Sequence, residues 1–261
     1  TGAWHWFGHI WRWLYVLLFF WFAFQGFRRI QPASGNGQLR HSGLLLLVFG
    51  FSTLSFLAMT AFALYGYFYD GDFVDLEFPL HHGTYHVAQG GNSPLLNIHH
   101  HPRSPLKLAL DITRLNGLGI RAWGIYPSDV HRYAIWGDTV YSPLSALVVE
   151  AVDSLPDLPA SQVDTVNLAG NHVVLRRGDL KVVLAHLQQG SLLVQKGDSV
   201  RAGQPIGLVG NSGNTTEPHL HIHAARDTSN SLFSGTPVAM RFRGKFLKRN
   251  DRVRSNAPSN P

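Results

Sequence analysis

The chain has 261 residues, and 22 basic against 16 acidic side chains give a formal charge of +6 with the 15 histidines counted as neutral. It contains no cysteine, which excludes disulfides and thiolate metal sites but leaves a site of His and Asp ligands open. The basic excess lies near the end without a nucleic-acid motif, so we predict no nucleic-acid partner. The first residue, Thr1, is what we expect of a fragment or a processed form. The oligomeric state stays open.

Residues 1–70 hold two strongly hydrophobic segments. The run at about 43–69 carries no charged residue and exceeds the ~20 residues that a helix needs to cross a bilayer. The run at about 13–27 is shorter and rich in aromatic residues, so it either spans the bilayer or lies in the interface, and we favour a span. We therefore predict a membrane anchor of one or two transmembrane helices, which would make the protein membrane-embedded.

The charges between these segments predict an orientation. Arg28, Arg29 and Arg40 precede the second segment, and positive charge favours the cytoplasmic side of a membrane. Everything after Asp70 is then exported. We expect the protein in the cytoplasmic (inner) membrane, with its large domain on the extracytoplasmic or periplasmic side.

In residues 71–245 the sequence pattern differs from that of the N-terminal segments and consists of short apolar runs separated by Gly, Asn and Asp. Stretches such as HVVLRRGDLKVVLAHL and QPIGLVGNSG predict short strands joined by tight turns, and thus a mainly β, antiparallel domain. The Pro- and Asp-containing segment 155–169 is expected to be a surface insertion. Residues 246–261 are basic, and we predict a flexible tail.

The sequence EPHLHIHA places three histidines on alternate positions. Side chains of a strand alternate between its faces, so His219, His221 and His223 share one face while Leu220 and Ile222 share the other. Buried imidazoles need polar partners, which makes this row poor core material and a good start on a metal site. His223 either reaches the same groove or supports the other two, and we favour the supporting role.

Residues 185–224, AHLQQGSLLVQKGDSVRAGQPIGLVGNSGNTTEPHLHIHA, resemble the C-terminal half of the M23 metallopeptidase domain of lysostaphin and LytM type. The family carries a HL pair after a strand, a V..G..V..GQ.IG..G.SG run and a closing PHLH, all of which occur here in order. The resemblance implies a small, twisted antiparallel sheet of the duplicated-hybrid-motif kind, with a groove that holds one zinc ion. Similar turns occur in biotinyl and lipoyl carrier domains, but no hairpin with the required lysine is present.

The resemblance also implies roles for individual residues. His221 is expected to bind the metal and His219 to be catalytic, while His186 in LAHL matches the other catalytic histidine and Asp111 in LALD the metal-binding aspartate. Two histidines and a carboxylate leave the fourth tetrahedral position of Zn²⁺ open for a water molecule. Two further histidines can then orient that water, move a proton and stabilise the oxyanion.

The remaining histidine ligand is harder to place. The commonest pattern separates His and Asp by three residues, whereas here His99, His100 and His101 all lie farther from Asp111. A variant with Asn-x-His before a distant ALD fits Asn97 and His99, so we choose His99. A shift of one residue would exchange it for a neighbour. The usual acidic residue after HLH is absent, which puts support of the ligand in question.

We therefore predict a membrane-anchored zinc metalloendopeptidase that hydrolyses peptide bonds of bacterial cell-wall peptidoglycan through a zinc-activated water. The alternative is an inactive M23-like domain that binds cell wall or activates a partner hydrolase. A full candidate set of ligands favours the enzyme. The sequence leaves open whether a Gly-Gly, a D-Ala–diaminopimelate or another bond is cut.

Overall fold

The computed structural model describes residues 12–29, 39–100, 105–229 and 231–255. Both hydrophobic segments are helical, as α1 (Arg12–Arg29) and α2 (Leu39–Tyr65). Among these described residues, however, we find no helix with both the length and the apolar character needed to cross a bilayer. The predicted transmembrane helices are therefore not supported.

In the rest of the described chain the regular elements are β-strands, joined by irregular connections. Two short 3-10 turns, at Leu106–Leu108 and Val130–Arg132, interrupt the long connections between them. The strands are β1 (Phe73–Leu76), β2 (Gly83–Gln89), β3 (Leu110–Leu115), β4 (Thr139–Tyr141), β5 (Ala146–Val152), β6 (Asn171–Arg177), β7 (Leu180–Leu187), β8 (Ser199–Val200), β9 (Pro205–Leu208), β10 (Leu220–Arg226), β11 (Thr236–Phe242), β12 (Lys245–Phe246) and β13 (Arg252–Ser255).

Eleven of these strands form one sheet. Its main path runs β13-β2-β3-β10-β7-β6-β5-β8, β11 pairs with β1, β10 and β12, and β4 and β9 form a separate pair. The pairing of β1 with β11 is parallel, and the others among the described strands are antiparallel. The predicted mainly antiparallel fold is confirmed.

Strand β10 lies in the middle of the sheet, where it is held on both sides. It pairs with β3 so that His221 lies opposite Asp111, and with β7 so that His221 lies opposite Ala185, next to His186. Its aliphatic residues Leu220 and Ile222 point to the other face and are fully buried in the main core. The alternation of β10 thus anchors one face in the core and presents its histidines on the opposite face.

The predicted insertion at 155–169 contains no strand and packs along the loop that precedes β10. The backbone amides of Leu158, Ser161 and Asp164 donate to carbonyl oxygens of residues 211, 216 and 213, respectively. These hydrogen bonds brace the turn before the histidine strand.

The predicted flexible tail requires a correction. Arg252–Ser255 forms β13, which pairs antiparallel with β2 at the end of the main sheet. Because its backbone groups are paired in the sheet, this part of the tail belongs to the domain. Residues 256–261 lie outside the described residues.

Candidate active site

Three adjacent strands in the middle of the sheet and one loop bring five polar side chains together. Asp111 comes from β3, His186 from β7 and His221 from β10, while His219 immediately precedes β10. The fifth, His100, lies in the connection between β2 and β3. Because neighbouring strands fix the spacing of the first three, the site stands on a rigid base.

Three of these side chains form a group that can hold a metal ion. His100, Asp111 and His221 are all buried, and their ligand atoms lie within 4.8 Å of one another. Oδ1 of Asp111 is 3.4 Å from Nε2 of His100 and 3.1 Å from Nδ1 of His221. Ligands ~2.0–2.2 Å from a tetrahedral zinc ion lie roughly 3.3–3.6 Å apart, so the first distance lies in this range and the second slightly below it.

The structure places His100, and not the predicted His99, in this group. The amide of Asn97 donates to the carbonyl oxygens of Lys107 and Ala109, which leaves its Oδ1 to accept from Nδ1 of His100 at 2.8 Å. The lone pair of His100 Nε2 therefore faces Asp111. His99 is exposed on the adjacent position of the same turn, so the group contains His100 in place of the predicted His99. The third alternative, His101, lies outside the described residues.

The remaining two histidines are held in a common orientation by backbone carbonyls. Nδ1 of His186 donates to the carbonyl oxygen of Ser212 at 2.9 Å, and Nδ1 of His219 donates to that of Glu217 at 2.8 Å. Each ring is therefore held by the backbone through Nδ1, and the ring centroids are 4.8 Å apart. Nε2 of His219 is also 3.4 Å from Oδ1 of Asp111, so that carboxylate borders both the metal group and the catalytic candidates.

His186 also carries local backbone strain. Its φ is +63°, a left-handed conformation that non-glycine residues rarely adopt and that often marks functional sites. Its amide donates to the carbonyl oxygen of Ala169 and its own carbonyl oxygen accepts from Gly210. The surrounding loops thus hold the strained residue in place.

The charges of the site shift its pKa values in different directions. Burial raises the pKa of Asp111, but neighbouring His100 and His219 outweigh it and bring it well below its usual value. Burial lowers the pKa of His100 to about 4, although the negative charge of Asp111 raises it. Burial and the neighbouring His219 lower the pKa of His186 well below 6.5. For His219, burial is outweighed by the charge and hydrogen bond of Asp111, so its pKa rises. His100 and His186 are therefore neutral at pH 7.

The site opens into a cleft of about 1470 Å³. It is lined by the five polar residues, by α2 side chains such as Met59, and by Tyr67 just beyond the end of α2. Thr216 and Tyr126 also line it, and the Tyr126 hydroxyl donates to the Thr216 carbonyl oxygen. A cleft of this size with both polar and apolar lining has room for a peptide chain.

The antiparallel sheet, the group of two histidines and one carboxylate, and the two adjacent histidines define a class of protein, namely a metal-dependent hydrolase domain. Residues 132–232, less than half of the chain, match the model of peptidase family M23. The match includes His186, His219 and His221, whereas His100 and Asp111 precede it.

The similarity to individual proteins is local. Fifty-three residues, 20% of this chain, are 47% identical to the peptidoglycan DD-endopeptidase ShyA of Vibrio cholerae, and they cover 12% of that protein, so the chain spans a small part of its length. A zinc-containing peptidase from Vibrio cholerae is similar at 22% identity over 44% of this chain and 46% of that one, with a TM-score of 0.28. The deep-sea M23 metalloprotease pseudoalterin is similar at 12% identity over 69% and 98%, with a TM-score of 0.38.

From the sequence, four of the five site residues were chosen and His100 was kept as an alternative to His99, whereas the groups that orient the rings were missed. Asn97 was noted, but as part of an Asn-x-His pair. Its separation of three from His100 is the signal that could have corrected the choice, because residues i and i+3 of a turn approach each other and the His100 amide donates to the Asn97 carbonyl oxygen. The carbonyl oxygens of Ser212 and Glu217 carry no sequence signal.

Proposed function

We propose that this protein is a zinc-dependent endopeptidase that cuts peptide bonds of bacterial cell-wall peptidoglycan, with His100, Asp111 and His221 as metal ligands. The observation that carries the proposal is the buried group of three potential ligand atoms, all within 4.8 Å of one another, beside the rings of His186 and His219. The substrate class is supported by the local similarity to a peptidoglycan DD-endopeptidase.

The residues divide into a binding and a proton-transfer set. His100, Asp111 and His221 would hold the zinc ion, which would act as a Lewis acid for the substrate carbonyl and would lower the pKa of a bound water towards ~7. His186 accepts a proton at Nε2, because its Nδ1 proton is committed to the Ser212 carbonyl oxygen. His219, once protonated at Nε2, donates a hydrogen bond to the developing oxyanion, with Nδ1 fixed on the Glu217 carbonyl oxygen.

The proposal is tested by digesting purified peptidoglycan and identifying the products by mass. We expect the wild-type chain to release peptide fragments whose new termini identify the bond cut. A His186→Ala variant should be slower by ~10²–10⁴-fold, the usual contribution of a positioned acid or base. His131→Ala is the matched control, because His131 is exposed and belongs to a different loop.

Metal content separates the proposal from its rival. The wild-type chain should bind one zinc ion, and chelation should abolish the cleavage. Stoichiometric zinc with no cleavage of any peptidoglycan would instead favour a domain that binds cell wall or activates a partner hydrolase. No stoichiometric zinc in a metal-replete sample would refute the enzyme.

We further propose that the domain works outside the cytoplasmic membrane, because cross-linked peptidoglycan lies there. The membrane anchor predicted from the sequence is not part of this proposal. A reporter that is active only outside the cytoplasm, fused after Pro261 of the intact gene product, should be active. An inactive reporter on a stably produced fusion would place the domain away from its substrate and refute this location.

A further inference from the structure

A line of hydrogen bonds begins at His221, a member of the metal group, and continues through His223 on the side away from Asp111. Nε2 of His221 lies 3.0 Å from Nδ1 of His223, and Nε2 of His223 lies 3.3 Å from the carbonyl oxygen of Leu232. His223 is 1% exposed, so water does not compete for these atoms. The line begins at a ligand and ends at a main-chain oxygen.

The carbonyl oxygen at the end fixes the direction of every bond in this line. A carbonyl oxygen only accepts, so Nε2 of His223 carries a proton and donates it to Leu232. In a neutral imidazole the other nitrogen is an acceptor, so Nδ1 of His223 accepts from Nε2 of His221. Nδ1 of His221 is then left with a lone pair, and this is the atom that lies 3.1 Å from Oδ1 of Asp111.

We infer that His223 is a positioning residue that selects the metal-binding tautomer of His221 and fixes the orientation of its ring. The inference rests on the proposed metal site. Histidine ligands commonly donate their second ring N–H to a carboxylate or a carbonyl. Here an imidazole takes that place, with its own far nitrogen tied to the backbone, in a sequence that lacks an acidic residue just after the HLH motif.

The acceptor at the end of the line is held by a buried cation. Lys181 is fully buried, and its ammonium pairs with Asp227 and donates to the carbonyl oxygens of Ser231 and Ser234, which flank Leu232 in sequence. The Leu232 side chain packs against a small apolar cluster that includes Val174 of β6 and Val183 of β7. The described residues of this loop are thus hydrogen-bonded to the Lys181 ammonium on both sides of Leu232, which keeps the Leu232 carbonyl oxygen in place.

Three substitutions of His223 separate positioning from packing. His223→Asn places an amide oxygen close to the position of Nδ1 and keeps the acceptor for His221. His223→Gln extends to the position of Nε2 and keeps the donor to Leu232 but moves the acceptor. His223→Leu is similar in volume and removes both polar atoms. Thermal unfolding of the three variants in the absence of metal controls for general destabilisation.

The measurement is zinc affinity, obtained by competition with a chromophoric chelator, so that no activity assay is involved. We expect His223→Leu to lose ~10–100-fold in affinity, the usual cost of removing the partner of a metal-binding histidine. His223→Asn should recover most of that loss and His223→Gln little of it. In the wild-type chain with zinc, ¹⁵N chemical shifts of the His221 ring should show a proton on Nε2 and the metal on Nδ1.

The outcomes are distinguishable. A wild-type chain that takes up no zinc would overturn the proposed function and this inference together. Normal zinc binding with equal affinity in His223→Leu would overturn the inference alone, as would a His221 ring with its proton on Nδ1. If His223→Leu failed to fold, the contrast between the Asn and Gln variants would decide, because a packing role predicts no difference between them in zinc affinity.

Discussion

Replacing the two histidines of HLH by alanine should have different effects on metal binding. His221→Ala removes one of three ligand atoms, the Nδ1 that lies 3.1 Å from Oδ1 of Asp111. His219→Ala removes a ring whose Nδ1 is tied to the Glu217 carbonyl oxygen and which lies outside the group of three ligands. We therefore expect zinc affinity to fall in the first variant and to persist in the second.

The magnitudes follow from the role of each ring. Losing the partner of a ligand costs ~10–100-fold in metal affinity, so losing the ligand itself should cost at least that, or ~1.4–2.7 kcal/mol. Losing His219 should leave the zinc in place and slow peptide hydrolysis by ~10²–10⁴-fold, which raises the barrier by ~2.7–5.4 kcal/mol.

The assay combines a chelator competition for zinc with single-turnover digestion of peptidoglycan at saturating zinc. Both side chains point to the same face two residues apart, so loss of folding would affect both variants alike. A His219→Ala variant that loses zinc while His221→Ala retains it would refute the assignment of the two rings. Full hydrolysis by both variants would refute the site.

Three further predictions test the neighbouring structure. His100→Ala should lower zinc affinity at least ~10-fold, whereas His99→Ala should leave it unchanged in the same titration. Gly170→Ala should destabilise the domain in urea unfolding by ~1–3 kcal/mol, because Gly170 has a φ of +59° and an added Cβ would overlap the backbone of Ser212, whose carbonyl oxygen holds His186. Leu184→Ala should cost ~2–5 kcal/mol in the same measurement, because Leu184 is fully buried in the main core.

The parts of the site that stand on strands were predictable from the sequence. The period of two in HLHIH placed three histidines on one face, and β10 carries them there while Leu220 and Ile222 enter the core. Asp111 and His186 were predicted from the resemblance of LALD and LAHL to the family's motifs. Along a regular strand such as β10, sequence spacing determines position in space directly.

The metal-binding histidine in the loop was not predictable in the same way. The described residues between β2 and β3, 90–100 and 105–109, contain no strand, and no period fixes which of three adjacent histidines faces the site. The choice is made by the Asn97 side chain, whose amide is held by two carbonyl oxygens and whose oxygen accepts from His100. Such an orientation depends on the path of the loop, which the sequence pattern does not specify.

Roles within the histidine cluster depend on which ring nitrogen an oxygen acceptor takes. In His100, His186 and His219 an oxygen accepts from Nδ1, so Nε2 faces the groove. In His221 the order is reversed, because its partner His223 takes Nε2 and leaves Nδ1 towards Asp111. Since β10 brings His221 directly opposite Asp111, its ring approaches the carboxylate through the nitrogen nearer the backbone, whereas His100 reaches in from a loop with the farther one. The site thus needs the opposite tautomer at His221, and an acceptor at position 223 is the physical condition for it.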